Sequence, residues 1–357
     1  MVKLQERADF SGKKIFVGMD VHSKNWNNSI YYEGQFLRSF QQPPKVEALV
    51  KLLRRDYPGA EYYCAYEAGF CGFWIQRELE KEGVKCIVVH AADVPQTDKR
   101  KRNKTDPNDS KGIGTALQAG LLKAIYVPDT ITEGNRKLVR YRQQVRKDLT
   151  RCRSRIKGLI HNIGIPLPSQ FSMKNWSRAF IKWLQELRIE HHYIRYALDS
   201  LIAQEARLRA EILLLNKELK NLLKTNRYQK EGELLTGIPG IGTTTAVTML
   251  VEIGDIKRFS SFSQFNSFVG FYPSEFSSGE HEHKGSIMPR HHRELRSLII
   301  EAAWISVRHD PALTLAFGEL KKRMTAKRAI IRIARKLLNR IWHVWNKQEE
   351  YEKGLVA

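Results

Sequence analysis

The first ordered pattern in the chain is a short apolar run rich in β-formers, Lys14-Ile15-Phe16-Val17-Gly18-Met19-Asp20, closed by a carboxylate. It predicts a buried strand. Trp26–Tyr32 and Gln35–Gln41 predict two more, joined by a Glu33-Gly34 turn. After Pro43-Pro44, the stripe Val46, Leu49, Val50, Leu52 and Leu53 has helical spacing. Glu61 to Tyr66 predicts the next strand, with Glu67 at its end as Asp20 ends the first. A helix over 72–82 stops at Gly83, and Val84 to His90 follows as an apolar strand. A meander followed by alternating helices and strands predicts an α/β domain, a mixed sheet flanked by helices.

Further on, Pro107 suits the first position of a helix that runs to about residue 121, with Asp106 as its N-cap. Lys123 to Val127 predicts a short strand stopped by Pro128. Thr130 to Ile163 reads as one long basic helix. After a break at Pro166–Ser172, Leu198, Leu201, Leu208, Ile212, Leu215, Leu219 and Leu222 alternate three- and four-residue steps, with Glu205 in the one polar slot. That is coiled-coil spacing. It suits either a hairpin with the 130–163 helix or a dimer seam.

Ile238-Pro239-Gly240-Ile241-Gly242, ahead of an apolar helix, has the form of a helix–hairpin–helix turn. Gly240 and Gly242 would let backbone N–H groups approach a phosphate. A plain glycine-rich turn is the competing reading. Phe271 to Glu280 leads into a polar, basic loop from His281 to Arg293 that includes Arg290. Residues from about 294 to 348 read as helical and basic, packed down by Trp342 and Trp345. The organisation is therefore an α/β domain over 1–130, a basic helical and coiled-coil region over 131–230, and a mainly α domain over 231–357.

Charge narrows the function. Of 357 residues 42% are hydrophobic, ordinary for a globular protein, but 60 Lys+Arg oppose 38 Asp+Glu for a net charge of +22. Such a surplus calls for a polyanionic partner, since each phosphate neutralised releases condensed counterions. The run Lys99, Arg100, Lys101, Arg102 and Lys104 and the cations of the 130–163 helix are the candidate phosphate contacts. The four cysteines form no CxxC pair and read as reduced thiols of a cytosolic protein. The polar N-terminus has no signal-peptide form, and no apolar run is long enough to span a membrane.

Asp20, Glu67, Asp106 and Asp109 are the residue types that hold magnesium, which prefers oxygen ligands from separate elements. Phosphodiester cleavage uses such ions to stabilise charge. For Asp106 a simple helix cap is the competing reading. What speaks against it is a second carboxylate three residues on and a run of cations just before. Ser277 and Ser278, beside Gly279, are either an ordinary turn or a nucleophile towards phosphate.

With these residues in view, the chain resembles the IS110 family of transposases over nearly its whole length. The resemblance rests on Gly18-Met19-Asp20-Val21-His22, Tyr66-Glu67-Ala68-Gly69, Lys104-Thr105-Asp106-Pro107-Asn108-Asp109, Ile238 to Gly242, Gly254-Asp255 with Arg258-Phe259, and Gly270-Phe271-Tyr272-Pro273 to Ser277-Ser278-Gly279. It implies an RNase H-like, RuvC-like N-terminal domain whose four acids bind Mg2+. It implies a coiled-coil insertion and a C-terminal domain whose serine, matched to Ser278 with Ser277 as the neighbour, attacks the DNA backbone. Further implications are recombination of donor and target DNA guided by a structured RNA, and dimers that pair into a tetramer with acids and serine from different subunits. The family's Lys-x-Gly-Asn run after Gly285 is replaced here by Met288-Pro289-Arg290-His291-His292. Two other functions compete: a metal-only Holliday-junction nuclease, and a non-enzymatic architectural protein in which the acids are caps.

Overall fold

The computed structural model describes residues 9–95, 106–171, 176–278, 281–287 and 291–354, with backbone alone at 106–107, 273–278 and 281–287. The chain divides into two compact units, Met1–Val127 and Pro128–Ala357.

The first unit contains strands β1 (Lys14–Val21), β2 (Trp26–Tyr32), β3 (Gln35–Gln42), β4 (Glu61–Glu67) and β5 (Lys85–Val89), with helices α1 (Val46–Asp56), α2 (Trp74–Lys81) and α3 (Asp106–Gln118). The sheet order is β3-β2-β1-β4-β5. The first three strands form the antiparallel meander, while β4 runs parallel to β1, and β5 to β4. Glu33 and Gly34 both take positive φ, 44° and 85°, as a two-residue hairpin turn requires. On one face Ile15, Val17 and Met19 of β1 are fully buried with Leu49 and Leu53 of α1 and Ile75 and Leu79 of α2.

The opposite face of β1 carries Gly18, and α3 lies directly on it. A Cβ at Gly18 would fall 2.2 Å from both the Gly114 nitrogen and the Ser110 carbonyl oxygen. Gly114 is equally confined, since its own Cβ would sit 2.5 Å from the Tyr31 ring. Gly18→Ala is therefore expected to lower stability by about 3 kcal/mol, because only a shift of backbone relieves the overlap. Urea unfolding of the full chain measures it, and a neutral result would show that α3 can lift off the sheet freely.

The expected strand at Lys123–Val127 does not form. A single bridge, Val89↔Ala124, and a hydrogen bond from Ile125 N–H to the Val88 carbonyl at 2.8 Å tie the segment to β5. Pro128 follows at once and ends the pairing.

The second unit begins with α4 (Thr130–Asn162), α5 (Arg178–Glu186) and α6 (His192–Leu223), then α7 (Gln229–Thr236), α8 (Thr243–Ile253) and α9 (Phe262–Val269). Strands β6 (Pro273–Ser278) and β7 (His281–Ile287) follow, then α10 (Arg293–His309), α11 (Pro311–Lys321) and α12 (Ala326–Lys347). The heptad leucines of α6 pack on α4 of the same chain: Leu198, Leu208 and Leu215 join Val145, Leu149, Cys152 and Ile156 in one apolar cluster. The hairpin alternative is thus the one the structure contains, and these leucines are already occupied within the chain. The polar slot is explained too. Glu205, 2% exposed, accepts from Arg153 of α4 at 2.6 and 3.0 Å.

Two further expectations are corrected here. His281–Ile287 is not loop but a strand paired to β6, with Glu275 opposite Lys284 and Ser278 opposite His281. A two-stranded ribbon is held by its backbone ladder, so its sequence shows no apolar alternation. The helical stretch from 294 is broken into three. Asp310 caps α11 by accepting from Leu313 N–H at 3.1 Å, and Pro311 takes the first helical position. Trp342 and Trp345 are buried at 8% and 4%, in a packing role.

Candidate catalytic and nucleic-acid-binding site

In the parallel pair β1–β4, Gly18 is level with Ala65 and Met19 with Tyr66. Asp20 and Glu67 are the next step on each strand. They lie at the carboxyl ends of adjacent strands, the edge where parallel sheets commonly present ligands. Side chains alternate along a strand, so both acids share the face of Gly18, opposite the buried Met19 and Tyr66. Asp20 keeps a side-chain exposure of 18%, and its Oδ2 lies 3.1 Å from His22 Nε2. Across the antiparallel partner, Asp20 faces the buried Asn27.

Helix α3 is laid over this face in a fixed direction. Its Thr115 hydroxyl donates to the Tyr31 hydroxyl at 3.0 Å, while its Ser110 hydroxyl lies 2.8 Å from that of Ser29. Tyr31 pairs with Phe16 and Ser29 with Gly18, so stepping back along α3 moves towards Asp20. The first turn, Asp106 to Asp109, continues that way. Asp109 is half-buried there. Asp106 is the first residue of the helix rather than its cap, and its side chain is outside the described residues. Among the described residues no group of three or more His, Cys, Asp or Glu side chains closes around one point tightly enough to hold an ion.

Lys99, Arg100, Lys101, Arg102, Lys104 and Arg290 lie outside the described residues. Ser277 and Ser278 close β6, their backbones opposite Glu282 and His281, with Ser278 the last residue of the strand. The two glycines of the 238–242 turn differ. Gly240, at φ 89°, presses on α10: a Cβ would lie 2.4 Å from the Ala302 carbonyl and 2.7 Å from the Ser306 hydroxyl. Gly242 precedes α8, nothing lies within 4 Å of its Cβ position, and no side chain caps the helix start. The start of α8 at Gly242 is thus without a side-chain cap, and Gly240 lies close against α10.

The cations of α4 are not one continuous phosphate-tracking face. Arg136, 8% exposed, donates to the carbonyls of Val251 and Glu252 at 2.6 and 3.0 Å, satisfying the end of α8. Arg140 grips the buried Glu252 carboxylate in two hydrogen bonds of 2.8 Å, and His292 Nε2 lies 3.3 Å from the same group. Burial by itself would raise the Glu252 pKa. The hydrogen bonds and charges of Arg140 and His292 outweigh it and hold the carboxyl down at about 2. Arg142 is likewise spent on Asn216, and Arg153 on Glu205. Glu252 escaped notice in the sequence, although it is the single acid in the apolar run Met249–Ile253, and a buried acid needs partners.

Comparison with known families decides among the readings. The family described as Transposase IS116/IS110/IS902 matches residues 232–317, and the IS110 DEDD transposase family matches residues 17–165. The chain belongs to the IS110 family of transposases. Among relatives of this transposase is a putative transposase, y4qE, of Sinorhizobium fredii, 29% identical over 316 residues, covering 86% of this chain and 75% of the relative. The transposase for insertion sequence element IS1533 of Leptospira borgpetersenii is 25% identical over 86% of this chain and 93% of its own. A pilin gene-inverting protein of Moraxella lacunata is 38% identical over 37% of this chain and 42% of its own. The IS110-family chain is thus a DNA-binding enzyme of insertion-sequence transposition and recombination, which sets the architectural reading aside. The N-terminal mixed sheet followed by a mostly helical region is compatible with a DEDD nuclease-like domain. No helix among the described residues is long and apolar enough to cross a membrane.

Proposed function

We propose that this transposase cuts and rejoins donor and target DNA under the guidance of a structured RNA, using the acids of its first unit and a serine of its second. The observation that carries the reading is the register of β1 and β4. It sets Asp20 and Glu67 at neighbouring strand ends on one face, with the first turn of α3 directed towards them. The sheet order, antiparallel through β1–β3 and parallel through β1, β4 and β5, supports an RNase H-like reading. The donor chemistry fits a hard cation: Asp20, Glu67, Asp106 and Asp109 offer only carboxylate oxygens, with no thiol or imidazole among them. These four would hold magnesium, which supplies charge neutralisation at the scissile phosphate when bound.

The chain's own part is nucleophilic. The Ser278 hydroxyl loses its proton and its Oγ bonds to phosphorus, while the bond from phosphorus to the sugar oxygen breaks and that oxygen leaves protonated. Reversal by a different sugar hydroxyl reseals the backbone and frees the serine, so no phosphodiester is lost. Dimers pairing into a tetramer would bring one subunit's acids to another's serine. The guide RNA and both DNA duplexes give a surplus of 22 positive charges its partners.

Removal of divalent ions tests the metal half of the reading. Recombination of a donor–target pair is expected to stop in excess chelator and to return on adding magnesium. Rejoining at an unchanged rate in the chelator would refute it.

A further inference from the structure

Helix α12 spans 22 residues, about 33 Å, and contains no Asp or Glu. One side is core: Ile333, Ala334, Leu337, Leu338 and Ile341 are fully buried. The other side is exposed and cationic. Arg328, Arg332 and Arg335 follow one another at four- and three-residue steps on one line, with Lys336 and Lys347 flanking it. Each of these five is exposed, and none of their side chains has a hydrogen bond or ion pair to another described residue. On α4, by contrast, Arg140, Arg153 and Arg142 are bound to Glu252, Glu205 and Asn216. Even on α12, the one arginine that turns inward, Arg340, is taken by the buried Asp310 at 2.9 Å.

An uncompensated row of cations this long repels itself and is stabilised by an extended polyanion. A basic amphipathic helix can also lie on a membrane surface, but that needs an accessible apolar face. Here the apolar face is already core, so only the charge is on offer.

We infer that the exposed face of α12 is a contact surface for the phosphate backbone of duplex DNA, holding it without reading its sequence. The inference rests on the DNA-recombining activity of the family, and it assigns that activity a surface independent of the acids and the serine. Guanidinium groups in a line engage successive phosphates, with no base edge required.

The test is Arg328→Gln/Arg332→Gln/Arg335→Gln in the full chain. Binding to a duplex DNA of arbitrary sequence is measured by fluorescence anisotropy between 50 and 200 mM salt. Each phosphate contact contributes about 0.9 to the slope of log affinity against log salt, so the triple variant is expected to bind with a slope shallower by about 2.7. The weakening is expected to be the same on unrelated sequences. Lys336→Gln/Lys347→Gln reads the same face should the triple variant unfold early. Slopes equal to wild type in both variants would overturn the inference. So would a shallower slope on duplex RNA with none on DNA. If the wild-type chain itself binds no DNA, the family-level reading falls with it, which separates the two failures.

Discussion

Ser278→Ala is expected to abolish strand joining by more than about a hundredfold and to eliminate any protein–DNA adduct that survives denaturation, with DNA binding unchanged. Loss of the hydroxyl removes the protein atom that the proposed reaction bonds to phosphorus, and alanine keeps the strand geometry at the end of β6. Ser277→Ala is the internal control and is expected to retain joining. The paired variant Asp20→Ala is expected to lose joining to the same extent without losing the fold, since Asp20 is partly exposed at the strand end. If Ser278→Ala still cleaves in magnesium while Asp20→Ala does not, the chain works as a metal-only nuclease, and the serine chemistry is wrong. If Ser277→Ala is the inactive variant, the nucleophile moves by one residue and the rest stands.

The largest effect on stability is expected at Glu252. Glu252→Leu leaves the buried Arg136 and the half-exposed Arg140 without their carboxylate, and the cost is expected to be about 3 kcal/mol, read from urea unfolding at pH 7. The pH dependence gives an independent handle. The folded carboxyl sits at about 2, below its ordinary value of 4.5. Its contribution is therefore complete above about pH 4.5 and is lost as the pH falls from there towards 2. Over that window wild type is expected to give up about 3 kcal/mol that Glu252→Gln lacks throughout. The two unfolding curves thus converge in acid. Curves that stay parallel down to pH 2.5 would mean that the carboxyl is not held by Arg140 and His292.

The sheet was largely legible because its side-chain periods are simple. Ile15, Val17 and Met19 alternate with Gly18 and Asp20, and a two-residue Glu33-Gly34 turn sets the β2–β3 register as far as the shift between Ile30 and Tyr31. The acids at 20 and 67 were visible for the same reason, as polar ends to apolar runs. What stayed hidden was decided by partners far along the chain. Nothing local distinguishes Arg140, bound to Glu252 some hundred residues on, from the exposed Arg332, for both are cations on a helix. The β6–β7 ribbon was missed because backbone pairing, not apolar side chains, makes it. The close approach of Gly240 to the carbonyl of Ala302 was equally hidden, because Ala302 lies some sixty residues further along the chain.

The meeting of Gly18 with the backbone of Ser110 and Gly114 has a consequence for how this enzyme can vary. Most helices rest on a cushion of side chains whose sizes can be traded to raise, lower or tilt them by small amounts. Here the helix rests on bare main chain, a hard stop with no smaller residue left to substitute. Whatever the first turn of α3 does at the strand ends, its height above the sheet is set by covalent geometry and not by choice of side chain. Adjustment to new substrates must then come from the outward side of that helix or from other surfaces.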